Sequence, residues 1–164
     1  MVTTRVQHTK LRATRLAGVV LTGLLTGTSL AACAGLDGTG TISQRVNAWA
    51  SSTGVRSQIA TLQADSTRIA IIQRRHNPGA LRAVCEVLGS DVNSAHQDLP
   101  TPSPRLTGEL DAAYRLDLVA ADDCYRGASG SLSGSLIVTS AADRAAAGND
   151  LKKALISLQA LSGS

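Results

Sequence analysis

The chain has 164 residues, enough for one domain, and only 2% of them are aromatic, too few for a base-stacking surface. Its formal net charge of +4 comes from Arg5, Lys10, Arg12 and Arg15, because the first 32 residues hold no acid and the remainder carries twelve bases against twelve acids. A neutral remainder with interspersed charges has no footprint for phosphate backbones, so nucleic acid is excluded as a partner class.

Residues 1–32 have the three-part build of a signal peptide: basic residues from Arg5 to Arg15, an apolar run over 16–30, then the small Ala31 and Ala32. The apolar run contains glycines and threonines and falls short of the roughly 20 residues a spanning helix needs. Arg12 and Arg15 are not adjacent, so the general secretory route is expected. Leu30-Ala31-Ala32-Cys33 resembles the lipobox of bacterial lipoprotein precursors. That resemblance covers residues 1–33 and implies cleavage before Cys33, lipid on its thiol, and a place on the outer face of the cytoplasmic membrane. Chemically, small side chains let an extended backbone enter a peptidase groove, and a thiolate is the best available nucleophile for taking up lipid. Two acyl chains anchor stably where one does not. Ala32-Cys33-Ala34 also has the form of an ordinary signal-peptidase site, whose cut before Gly35 leaves a secreted, soluble protein. Leu30 and the Gly/Thr-rich stretch 34–41 favour the lipidated start. A tether of about eight flexible residues reaches about 15 Å, which keeps the domain beside the headgroups.

From residue 42 onward the apolar spacing is helical and no run alternates as a strand would, so the fold class is all-α. A short first helix over 42–53 places Ile42, Val46, Trp49 and Ala50 on one face, opened by a Thr41/Gln44 capping box and closed at Gly54. Gly54 is either a break or a kink. The second helix has Val55, Ile59, Leu62, Ser66 and Ile69 in its seam and ends in Arg74-Arg75-His76-Asn77. Asn77 caps the third, Pro78 occupies its first turn, and Leu81, Cys85, Leu88, Val92 and Ala95 form its stripe. Pro100, Pro102 and Pro104 impose an extended connector. Ser103 then caps a fourth helix whose face carries Leu106, Leu110, Ala113, Ala120 and Cys124. Residues 127–135 are a flexible loop by composition. The last helix covers 136–161, with Leu151, Leu155 and Leu158 in the core and Ala141, Ala145 and Gly148 extending that face for close packing. Four long helices and a short N-terminal one make a four-helix-type bundle over 42–164.

Cys85 and Cys124 are the even pair left after Cys33. Export places them where pairing is favoured, with two buried free thiols as the alternative. Closing a loop of this length contributes about 4 kcal/mol in the chain-entropy model. Asp122 and Asp123 precede Cys124 and no Cys-x-x-Cys occurs, so the pair is assigned to structure. Trp49, Asp65, Cys85, the Leu99-Pro100-Thr101-Pro102-Ser103-Pro104 connector with Leu106-Thr107, and Cys124-Tyr125 together resemble an uncharacterised group of exported actinobacterial helical proteins. The resemblance spans most of 42–160 and implies the fold, with no activity to carry over.

No G-x-S-x-G, H-E-x-x-H, Walker, S-x-x-K or C-x-x-C motif is present. His76 and His96 stand at opposite ends of the third helix, roughly 30 Å apart, and cannot share a metal within one subunit, whether with Glu86, Asp91 or Asp98. No catalytic residue, cofactor or metal ligand is therefore assigned. Asp122 and Asp123 diverge by about 100 degrees around a helix and read as a solvated face. Asp117 falls in the fourth helix's seam, so it is either a buried, paired carboxylate or a sign that the phase is off by one; the second is the expectation. Arg74-Arg75 is a weak headgroup patch, of a kind helix C-termini commonly carry. The expected function is a lipid-anchored, non-enzymatic envelope module that binds a protein, polymer or small ligand; the alternative is an envelope hydrolase or metal-dependent enzyme, which calls for a polar pocket holding a perturbed His or carboxylate.

Overall fold

Thr41 sets the start of the first element. Its hydroxyl accepts from the Gln44 amide at 3.2 Å and the Gln44 side chain accepts from the Thr41 amide at 2.9 Å, opening α1 (Ile42–Thr53). A computed structural model describes residues 40–130 and 133–163 of the chain. The segments expected to be signal peptide and tether, with Cys33 between them, lie outside the described residues.

Gly54 is a break. Its φ of 65° is left-handed, its amide closes α1 on the Ala50 carbonyl at 3.2 Å, and α2 (Val55–Arg74) begins at the next residue. Asn77 and Ser103 cap α3 (Pro78–His96) and α4 (Pro104–Ser129), each with proline in the first turn. Between them the connector folds on itself: the Thr101 amide donates to Thr107 Oγ1 at 2.9 Å, and the Ser103 amide to Thr101 Oγ1 at 3.0 Å. The last helix is α5 (Ser133–Ser162).

The five helices form an all-α bundle with no strand among the described residues. α2 to α5 run alternately up and down, α3 against α2, α4 against α3, α5 most extensively against α4, while α5 closes only lightly back onto α2. The core takes most of the stripes expected from the spacing: Val46 and Trp49, Val55, Ile59, Leu62 and Ile69, Leu81, Cys85, Leu88 and Val92, Leu106, Leu110 and Ala113, with Leu151 and Leu158; Tyr114 joins it, Leu155 is only partly buried, and Ile42 is exposed at the start of α1. Cys85 and Cys124 are buried and joined by a disulfide, their Cα atoms 5.8 Å apart, which staples α3 to α4 away from the proline connector. Trp49 locks α1 down by donating from Nε1 to the Asp98 carbonyl at 3.0 Å.

Three expectations are corrected. The α2 seam holds Asp65 where Ser66 was placed; Ser66 turns toward α5. The stretch from Gly127 is not a loop, since α4 continues to Ser129 and α5 already begins at Ser133. Gly127 serves close approach: a Cβ there would meet Ile137 Cγ1 at 2.9 Å and Leu136 Cβ at 3.2 Å. The N-terminal half of α5 buries Ser140, Arg144 and Ala147, so its phase differs from the one drawn through Ala141, Ala145 and Gly148. With few apolar side chains in that half, the hydrophobic period gives no phase there; Ser140 is set instead by its hydroxyl, which donates to the Ala120 carbonyl at 2.7 Å.

Candidate functional site

The light closure between α2 and α5 leaves an open seam, and small residues on both helices keep it from filling. On α2 the seam exposes Ser66, Thr67 and Ala70; on α5 it exposes Ala141, Ala145 and Gly148. The small α5 residues expected to draw a neighbouring helix close line this gap. One side chain crosses it: Arg144 of α5 donates from Nη1 to the Ser66 carbonyl at 2.9 Å.

Arg144 and Ser66 both line two chambers. The wider, about 960 Å³, is bounded by Gln73, Arg74 and His76 at the end of α2 and by Ala141 and Ala145. The narrower, about 260 Å³, has Asp117 of α4 in its wall, with Leu62, Gln63, Leu151 and Lys152. Asp117 is 1% exposed and Arg144 8% exposed. The α4 phase was therefore right, and Asp117 is a buried carboxylate beside a buried guanidinium, against expectation.

Burial pushes the Asp117 carboxyl up to about 7, with the nearby Arg144 charge pulling back, and burial likewise lowers Arg144 while Asp117 opposes. Their hydrogen bonding is incomplete. Among the described residues Asp117 Oδ1 and Arg144 Nε are buried without a hydrogen-bond partner, each at a desolvation cost. The arrangement can bind a polar or charged ligand, and its carboxyl changes charge near neutral pH. The missed residue is Arg144. The residues around it are alanines, serine and glycine, which give no apolar period to show that its face is the buried one.

Other sequence candidates go elsewhere. His76 sits in the α2–α3 turn with φ 51° and lines the wider chamber. His96, at the far end of α3, places Nε2 2.8 Å from Asp111 Oδ1, and Arg115 holds the other Asp111 oxygen at 2.9 Å. These two contacts keep the Asp111 carboxyl below the usual range, with the His96 hydrogen bond the largest cause. Asp98 accepts from Gln58 at 2.6 Å, Glu86 is exposed, and Asp122 and Asp123 face Arg126 at 3.3 and 3.9 Å. Asp91 lies beside Asp65 between α3 and α2. Burial raises the Asp65 carboxyl, and its hydrogen bond and charge contact with Asp91 raise it further.

No family model, curated protein or solved structure matches the chain. Among the described residues, no three His, Cys, Asp or Glu side chains gather where a metal ion could be held, and no helix is long and apolar enough to cross a membrane.

Proposed function

We propose that this chain is the precursor of an exported lipoprotein, cut before Cys33 and carried on the outer face of the cytoplasmic membrane. Its bundle then acts as a binding module whose ligand lodges in the seam between α2 and α5. The anchor half of this reading is supported by the signal-like 1–32 segment and the lipobox-like Leu30 to Cys33. Its proposed source is the actinobacterial group that the Trp49, cysteine and proline pattern resembles. The binding half is carried by one observation: a buried arginine with an unpartnered nitrogen bridges a cleft that the fold leaves open.

The enzymatic alternative keeps one specific support, since Asp117, with a carboxyl near 7, lines a small chamber as a general acid or base would. Native mass spectrometry of the protein isolated from its own envelope separates the two. A retained small molecule, lost when Ala141→Trp fills the wider chamber, supports a binding module. Turnover of that molecule by the wild type, abolished in Asp117→Asn, supports the enzyme. No retained molecule in either protein counts against the groove as a binding site.

A further inference from the structure

The wider chamber is one-sided in charge. Arg144, Arg74 and His76 are its ionisable lining, Ser66, Thr67 and Gln73 its uncharged polar groups, and among the described residues no Asp or Glu lines it. We propose that this chamber is an oxyanion site that takes a phosphate-type group carried on an organic body; the inference rests on the ligand-binding reading of the seam and names its ligand class.

Arg144 is the anchor. It is 8% exposed, its Nη1 is spent on the Ser66 carbonyl and its Nε is buried within the wall, so its share in the chamber is the charge that it sets there. A guanidinium largely withdrawn into the wall of an open cleft is screened less than one in bulk solvent and draws phosphate oxygens more strongly. Asp117 lines the narrower chamber and not the wider one, and its charge acts on Arg144 to oppose the effect of burial. Arg74, exposed at the last turn of α2, adds a second guanidinium to the rim. His76 adds a ring at the turn, held there by its left-handed backbone. At about 960 Å³ the chamber exceeds what a bare phosphate fills, and the alanine wall of Ala70, Ala141 and Ala145 offers an apolar surface to the remainder of the ligand.

The test is titration of the protein, as isolated from producing cells, with three soluble probes: inorganic phosphate, dihexanoyl phosphatidylglycerol below its micellar concentration, and glycerol. Binding is read by calorimetry and by amide shifts at Ser66 and Thr67. Saturable binding of a phosphate probe is expected, with no response to glycerol. Arg74→Gln, which removes an exposed group and leaves the core untouched, should weaken binding about tenfold, the loss of one charge-assisted hydrogen bond. Ala141→Leu should weaken the lipid and spare inorganic phosphate. Equal binding of both phosphate probes assigns the site to free phosphorylated compounds, whereas binding of phosphatidylglycerol alone assigns it to a lipid headgroup. Silence from both phosphate probes, or binding that Arg74→Gln leaves unchanged, overturns the oxyanion assignment. The broader binding reading stands or falls separately, on the retained-ligand mass spectrum.

Discussion

Arg144 Nη1 donates to the Ser66 carbonyl at 2.9 Å, joining α5 to α2 across the open seam between residues 78 apart in sequence. The same guanidinium is the charge nearest to consequence for buried Asp117. Removing it by Arg144→Met takes away the charge that favours the Asp117 carboxylate together with the bond to Ser66, at an expected cost of about 1–2 kcal/mol. The loss should be larger at pH 8 than at pH 5, because at pH 5 Asp117 is protonated and needs no counter-charge. Urea unfolding at both pH values, with Asp117→Asn/Arg144→Met completing a double-mutant cycle, reads the coupling; equal losses at the two pH values would show that Asp117 and Arg144 do not interact.

Asp117 also gives the fold its own pH dependence. Its carboxyl is raised from 3.8 to about 7 in the folded chain, so over that window the native state holds a proton that the unfolded state has released. The contribution is therefore fully present below about 3.8 and lost as pH rises through about 7. Asp65, also raised, adds to this slope, while Asp111, which is lowered, contributes stability that fades only as the solution becomes acidic. Unfolding midpoints of Asp117→Asn should change less between pH 5 and pH 8 than those of the wild type. A parallel pair of profiles would contradict a buried, perturbed Asp117.

Gly127 sits where α4 meets the start of α5. A methyl group there would press on Ile137 Cγ1 at 2.9 Å and Cδ1 at 3.0 Å. Gly127→Ala should therefore destabilise the bundle by about 1–2 kcal/mol, in spite of alanine's better helix propensity. Pairing it with Ile137→Val, which removes the Cδ1 methyl, should recover part of the loss; thermal unfolding of the two variants is the check.

The Cys85 to Cys124 bond closes a loop across 39 positions from within the core. Cys85→Ala/Cys124→Ala should lower stability by about 4 kcal/mol, the chain-entropy value for such a loop. Because both sulfurs are buried, alkylation under reducing conditions should be slow in the folded protein and fast in denaturant. Rapid alkylation of the native protein would place the bond at the surface.

Much of this fold is legible in the residues, and the reason is local. Thr41, Asn77 and Ser103 are caps followed by strong apolar periods, and Gly54 sits where a positive φ is required, so α1 to α4 begin where their chemistry says they should. The end of α4 and start of α5 are illegible because glycine and serine there read as a flexible linker, whereas Gly127 answers a contact with Ile137 that only the fold creates. The site is half legible. Asp117 stands in a visible apolar stripe between Ala113 and Cys124, but its partner Arg144 lies where alanines, serine and glycine give no period. Pairing them requires the α4–α5 packing, and the cleft requires a weak α2–α5 closure that no local pattern encodes.

The central proposal is a stapled bundle held at the membrane by lipid on Cys33. The intact mass of the protein from the membrane fraction, before and after reduction and alkylation, tests it most directly. A chain beginning at a lipid-bearing Cys33, with two further thiols alkylated only after reduction, is the expected result. A lipid-free chain beginning at Gly35 and recovered from the medium would contradict the anchor.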